Sequence, residues 1–248
     1  MPSVQCSFIG DIVWETPPPV CYDLTDSIHV WRLQLSTNLH LVNNMASLLS
    51  PDEVTRANSY LQEKDRQRFI LSRGMLRLIL AKYLSEPAEH IQFSIGENKK
   101  PFVQSNSPSL QYNVAHAGDW VLIIVSNSPV GIDIEHINPV FDYSEILPVC
   151  FSSDEANFIQ SRKSFYLLWT RKEALVKATG KGIDNDMLFV PCMDGIHELP
   201  AKKTGSDKNR AVVSFEIGEE YIGSIAYDIV IQELFFFETY PSCNGRSL

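Results

Sequence analysis

Apolar residues at Ile28, Val30, Leu33 and Leu35 nearly alternate with polar ones, which predicts a strand over residues 28 to 35 with one slip in register. The unbroken apolar run over residues 121 to 125 has strand length. After the turn Asn127-Ser128-Pro129 the alternation resumes, so residues 130 to 135 are expected to form a strand antiparallel to the one before. A different period governs residues 65 to 83. There Phe69, Leu76, Ile79, Leu80 and Tyr83 share one helical face, and Arg66, Arg73 and Arg77 fall on a neighbouring one. Ser50-Pro51-Asp52-Glu53 is a helix start: serine caps, proline takes the first turn, and Glu53 can close a capping box. A short strand is expected over residues 92 to 95, followed by a loop over residues 96 to 101.

Later in the chain a short helix is predicted over residues 152 to 161, capped by Ser152 or Ser153. A longer one over residues 164 to 179 is stopped by Gly180. Strands are expected over residues 211 to 217, 221 to 227 and 229 to 237, and residues 202 to 210 read as a polar, mobile loop. Pro17-Pro18-Pro19 is stiff and extended, so the first twenty residues are expected to be an arm or an edge strand. The pattern predicts an α+β chain with two strand-rich halves, residues 1–127 and 128–248, each with helices packed on a sheet. A cleft between the halves is the expected ligand site.

Composition narrows the options. A hydrophobic fraction of 44% over 248 residues supports a substantial core. The net charge of −9 argues against nucleic acid as a partner, and any anion must be met by a local basic patch. Five cysteines, Cys6, Cys21, Cys150, Cys192 and Cys243, are scattered without a CxxC pair. They suit reduced thiols better than a disulfide framework or a zinc site. No basic region followed by an apolar run opens the chain, and no apolar stretch approaches the ~20 residues that span a bilayer. The expectation is a cytoplasmic protein with no membrane association.

Two motifs carry the candidate chemistry. In Gly131-Ile132-Asp133-Ile134-Glu135 the acids alternate with isoleucine, so on a strand both carboxylates share one face, about 7 Å apart. Such a pair can share one hard cation, and it also fits a solvated strand face. In Trp169-Thr170-Arg171-Lys172-Glu173-Ala174-Leu175-Val176-Lys177, Glu173 and Lys177 stand one helical turn apart. Alone they would make an ordinary surface ion pair. Beside a metal they would present a carboxylate and a cation that holds phosphate, with Lys172 and Lys181 adding positive charge. His116 has no second histidine at ligand spacing, so zinc is not indicated; it reads as structural or as a phosphate contact. Lys99-Lys100, Arg56, Arg68 and Arg73 fit solvated surface equally well.

In order, these pieces resemble the Sfp-type 4′-phosphopantetheinyl transferases. The matched series is the helix start at Ser50, the segment Arg73-Gly74-Met75-Leu76-Arg77, the turn Lys100-Pro101, and the Asn113-x-x-His116 element. Then come Gly131 to Glu135, and Trp169-x-x-Lys-Glu-Ala-x-x-Lys177 followed by Gly180-Lys181-Gly182. The resemblance spans roughly residues 50 to 185. It implies two similar, pseudo-twofold subdomains, each with helices on a small, mostly antiparallel sheet, and coenzyme A bound between them. It implies transfer of the 4′-phosphopantetheine arm of coenzyme A to a serine of an apo acyl or peptidyl carrier protein, of a fatty-acid, polyketide or peptide synthetase. Adenosine 3′,5′-bisphosphate is released.

By the same resemblance, Asp133, Glu135 and Glu173 would hold Mg²⁺, and Lys177 would contact the pyrophosphate. His116, with Asn113 in its motif, would face a phosphate of coenzyme A. Arg56, Lys99 and Lys100 would grip the nucleotide end. Glu173, or a water on the metal oriented by it, would take the serine proton. Two positions depart from the family pattern: Ala115 replaces the usual serine, and Glu53 stands where some relatives have a basic residue. The carrier is expected to dock on Arg162, Lys163, Arg171 and Lys172, and the protein to be a monomer. Rival readings of the same acids are a metal-dependent phosphodiesterase and a non-catalytic, carrier-binding relative.

Overall fold

Two long helices and two sheets organise the chain. In this computed structural model the described residues are 1–10, 12–17, 22–96, 100–105, 109–180, 186–231 and 233–239. The order is β1 (Ser3–Phe8), β2 (Ser27–Gln34), α1 (Leu35–Asn38), α2 (Val42–Ala46), α3 (Pro51–Asn58), α4 (Glu63–Leu84), β3 (Gln92–Ile95), β4 (Pro101–Gln104), β5 (Gln111–Ala117), β6 (Trp120–Ser126) and β7 (Gly131–His136). Then follow α5 (Leu147–Cys150), α6 (Ser153–Phe158), α7 (Arg162–Thr179), β8 (Gly195–Glu198), α8 (Ala201–Thr204), β9 (Arg210–Ile217), β10 (Tyr221–Asp228) and β11 (Glu233–Glu238).

One sheet runs β11-β2-β6-β5 and the other β7-β10-β9-β1-β8, with β3 and β4 forming a separate ribbon. The fold is α+β, and the two halves are built alike. In the first, β2 pairs antiparallel with β6, and β6 with β5. In the second, β7 pairs antiparallel with β10, and β10 with β9. The two parallel pairings, β1 with β9 and β11 with β2, both use strands from the ends of the described chain.

The layers follow from alternation. Trp31, Leu33, Val121, Ile123 and Val125 face Ile70, Leu71, Met75 and Ile79 of α4. On the other face of the same sheet, Ile28, Val30, Leu122 and Ile124 meet Ile132, Ile134, Val213, Phe215 and Ile225 of the second sheet. That sheet's far face receives Ala174, Leu175 and Ala178 of α7 on Val212 and Ala226. The stack is helix, sheet, sheet, helix. It accounts for the unbroken apolar run in β6, which is buried on both faces.

Several expectations are corrected here. Of the N-terminal residues, Glu15 does run along a sheet edge, bridging to Phe237 of β11, but β1 is neither an arm nor an edge. β1 lies between β9 and β8, with Val4 and Cys6 buried. β7 does not pair with β6. The turn after β6 carries the chain across to the second sheet, so that Ile132 and Ile134 can fill the core between sheets. Asn113 and His116 lie within a strand, β5, that the pattern did not predict, and His116 stands just before the buried β6. β4 and β8 were not anticipated. Residues 202 to 210 are anchored: α8 lies there, Thr204 and Ser206 are buried, and Lys203 pairs with Asp186 at 3.0 Å. Cys6, Cys150 and Cys192 are free thiols; Cys21 and Cys243 lie outside the described residues.

The long helices are pinned by a device that occurs twice. Ser50 and Glu53 close a capping box on α3. The Glu53 carboxylate also accepts from Nε of the buried Arg77 of α4 at 2.8 Å, and Arg77 donates onward to the carbonyls of Ala88 (2.9 Å) and Ile91 (3.0 Å). Ser152 and Glu155 close a second capping box on α6. Glu155 accepts from the buried Lys172 of α7 at 2.9 Å, and Lys172 donates to the carbonyls of Met187 and Val190. In both halves the carbonyls bracket a 3₁₀ turn, Ala88–His90 or Met187–Phe189.

Removing one partner of such a pair leaves a charge buried alone. Glu155→Ala is expected to cost about 3–5 kcal/mol in urea unfolding, and the double variant Glu155→Ala/Lys172→Met to recover part of that loss.

Candidate active site

Close packing of α7 on β7 creates the site. A Cβ on Gly131 would lie 2.0 Å from the Ala174 carbonyl oxygen and 2.4 Å from the Ala178 nitrogen, so only glycine lets the helix backbone approach this strand. With Ile132 and Ile134 turned into the core between the sheets, Asp133 is turned toward the helix. Lys177 Nζ donates to Asp133 Oδ1 at 2.6 Å. Asp133 Oδ2 is buried and has no hydrogen-bond partner. Glu173 is buried and Glu135 half-buried.

The electrostatics are those of three acids sharing one lysine. Burial pushes the Glu135 carboxyl up to about 7, with the Asp133 charge adding to it and Lys177 opposing. Burial, then Asp133, pushes Glu173 up to about 7 as well. The Asp133 carboxyl is raised too, because burial outweighs the pull of Lys177. Among the described residues no three acidic, histidine or cysteine side chains close into a metal-ligand cluster. The acids form an open array on one strand and one helix. An excess of carboxylate with an unsatisfied buried oxygen fits a hard divalent cation that completes its shell with water and phosphate.

Beside this array, in the first half, lies a pocket of about 330 Å³. Asp65, Arg68, Phe69, Ser72, Arg73 and Leu76 line it at helical spacing on α4, opposite Asn113, Val114 and His116 of β5. Arg56 also lines it, its guanidinium 5.2 Å from the Phe69 ring centre. Arg68 is paired with Asp65 at 3.0 Å and Arg73 with Glu53 at 3.3 Å. His116 has its pKa lowered, first by loss of hydration, then by the Arg68 charge, with Lys177 adding to it. It therefore senses cations from both halves.

The expected site residues separate into groups. Asp133, Glu173 and Lys177 come together, with Glu135 coupled to them. Arg56, Asn113 and His116 line the pocket. Asn113 also bridges the halves, its Oδ1 accepting from the Ile132 N–H at 2.9 Å. Lys100 is not among the lining residues; its ammonium donates to the Lys177 carbonyl at 2.8 Å. Lys99 and Lys181 lie outside the described residues. Ala115 packs into the core between sheets, facing away from the pocket. Glu53 is occupied by its capping box and by Arg73 and Arg77.

The basic docking patch is corrected. Arg171 and Lys172 are buried, the former on Ser214 (2.8 Å), the Cys192 carbonyl (2.8 Å) and Asp194 (2.7 Å). Only Arg162 and Lys163 of the four are exposed, and Lys163 pairs with Glu216 at 2.7 Å. Conversely, Arg68 and Arg73 read in sequence as solvated surface. Their spacing with Asp65, Phe69, Ser72 and Leu76 was the available sign of a shared face.

Comparison with known proteins adds to this geometry. Residues 36–128 match the family described as 4′-phosphopantetheinyl transferase, N-terminal, and residues 129–226 match the 4′-phosphopantetheinyl transferase superfamily. The chain is 32% identical over 179 residues to 4′-phosphopantetheinyl transferase HetI of Nostoc sp., covering 68% of this chain and 76% of that one. It is 35% identical over 150 residues to 4′-phosphopantetheinyl transferase gsp of Aneurinibacillus migulanus, covering 58% and 61%. It is 29% identical over 143 residues to 4′-phosphopantetheinyl transferase Sfp of Bacillus subtilis, covering 55% and 62%. The matches to the last two thus span under two thirds of their length.

The raised carboxyls predict a pH dependence. Glu135 and Glu173 bind protons more tightly in the folded chain than in the unfolded one. Their contribution to stability is therefore present in full below the ordinary value of 4.5 and lost as pH rises through about 7. In metal-free buffer the Tm is expected to fall over that window and Glu173→Gln to flatten the fall. Mg²⁺ is expected to raise the Tm more at the alkaline end than at the acid end.

Proposed function

Because the chain belongs to the 4′-phosphopantetheinyl transferase superfamily, we propose that it moves the 4′-phosphopantetheine arm of coenzyme A onto a serine of an apo acyl or peptidyl carrier protein. The observation that carries this reading is the contact of Lys177 with Asp133, beside Glu173 and next to a cationic pocket.

The pocket suits the nucleotide end of coenzyme A, with Arg56, Arg68 and Arg73 offering charge to phosphate and Phe69 an aromatic face. Asp133, through its unpartnered oxygen, Glu135 and Glu173 would hold Mg²⁺, which neutralises charge on the pyrophosphate when bound. Lys177 meets the charge that grows on the leaving phosphate. His116, its pKa lowered by burial and then by the Arg68 charge, can donate one ring N–H to a phosphate oxygen. A carboxylate has two oxygens, so Glu173 can ligate with one and accept the serine proton on the other. The serine oxygen then bonds to the phosphorus that bears pantetheine, the bond to the bridging oxygen breaks, and adenosine 3′,5′-bisphosphate leaves.

Among the described residues no helix is long and apolar enough to cross a membrane. The working picture is a cytoplasmic monomer that meets its carrier from solution. The carrier approaches by the exposed end of α7, where Arg162 and Lys163 stand.

Intact-mass spectrometry of an apo carrier protein with coenzyme A and Mg²⁺ tests the reading. A gain of one phosphopantetheine is expected with the wild type and none with Glu173→Gln, while Lys177→Met slows transfer by about 10²–10³. Nucleotide release without modified carrier would replace the reading with a phosphodiesterase, and coenzyme A binding without chemistry on any carrier would replace it with a non-catalytic relative. Reversing charge at Arg162 and Lys163 is expected to raise the carrier KM severalfold and leave the coenzyme A Kd unchanged. Equal loss of both would refute the docking face.

A further inference from the structure

Lys100 stands in the first half, one residue before β4, yet its ammonium ends on the second half. It donates to the Lys177 carbonyl at 2.8 Å, with the Ala178 carbonyl at 3.5 Å and the Val130 carbonyl at 3.4 Å. Two of these belong to the last turn of α7 and the third to the residue before β7. Its stem runs past the helix stop, Gly180, where a Cβ would lie 3.4 Å from Lys100 Cδ and φ is +71°.

The last carbonyls of a helix have no partner within it and carry partial negative charge. A cation supplied from elsewhere satisfies both needs. Here the cation caps the backbone of the residue whose side chain holds Asp133. Burial, with Arg210 adding to it, pushes the Lys100 ammonium down to about 8, in keeping with a group drawn away from water. Asn113 makes the matching tie one strand over, on the Ile132 N–H. Lys100 does not line the pocket that Arg56, Arg68, Arg73 and His116 share.

We propose that Lys100 is a positioning residue that clamps the C-terminal turn of α7 to the start of β7, and so sets the aim of Lys177, rather than a group that grips coenzyme A. This rests on the transferase reading for its kinetic consequences, but the clamp itself does not.

Lys100→Met keeps the stem and removes the ammonium. With saturating coenzyme A and carrier, kcat is expected to fall about tenfold to a hundredfold, as a displaced reacting group requires. The coenzyme A Kd, by calorimetry with Mg²⁺, is expected to stay within about threefold. Amide hydrogen exchange is expected to rise over residues 175 to 180 and not along α4. In a Lys177→Met background, Lys100→Met should add less than about twofold, because it acts through Lys177. A Kd raised about tenfold or more, about 1.4 kcal/mol, overturns the proposal whatever happens to kcat, since Lys100 would then be a phosphate ligand. Unchanged kcat and unchanged exchange overturn it as well. Should Lys100→Met fail to fold, Lys100→Gln, which keeps a donor without charge, is read by the same criteria. If the wild type modifies no carrier, the transferase reading fails, and hydrogen exchange alone decides the clamp.

Discussion

Everything in this molecule hangs on two carboxylates, the half-buried Glu53 and the buried Glu155, each engaged in three tasks. Each closes the cap of a short helix, neutralises a cation buried on the long helix, and through that cation secures a 3₁₀ turn beyond it. Arg77 does this with a fork, sending Nε to the acid and one terminal nitrogen to two carbonyls. Lys172 does it with one ammonium, which has three N–H donors for three acceptors. A different cation in each half, serving the same geometry, indicates that the requirement is for charge and donor count at that point. Buried pairs of this kind add little net stability, but they penalise any other placement of the helix severely. Apolar packing would hold α4 and α7 to their sheets; the pairs fix how far each is rotated and slid.

That fixing matters because the site is assembled from both halves. The first half offers cations at the pocket, the second offers acids between β7 and α7, and Lys177 stands among the acids. The two sets of charge are complementary across the boundary. Gly131 controls the separation of strand and helix, and Asn113 and Lys100 tie the strand and the helix to the first half. The chemistry-bearing groups are thus held at backbone level.

Much of this was legible in residue order. The caps at Ser50 and Ser152 and the stop at Gly180 are local signals with local causes, so α3, α6 and the end of α7 fall where expected, while the short α1, α2, α5 and α8 carry no such signal. The shared facing of Asp133 and Glu135, and of Glu173 and Lys177, follows from strand and helix periods alone. What a period cannot give is the neighbour. Arg77, Arg171 and Lys172 occupy positions that look solvated, and only the tertiary fold reveals that turns and capping glutamates cover them. The alternation in residues 130 to 135 is the same whether the strand pairs with β6 or with β10; the choice is made by the core between the sheets. β1 escaped notice because the prolines after it dominate the local reading, while its partners lie some two hundred residues on. Lys100 and Lys99 looked equivalent in sequence, and nothing local could show that Lys100 reaches a carbonyl in the other half.

The placement of β1 and β11 has a kinetic corollary. β1 finds its parallel neighbour only when β9 exists, and the sheet that β2 begins is completed by the last strand described, β11. Loops that long close slowly, and their contacts yield nothing until the closure is made. A nascent chain must therefore carry two incomplete sheets, with the flank of β2 that β11 will cover still open, until β9 and β11 have left the ribosome. The residues that precede β7 should thus be unable to settle ahead of those that follow it.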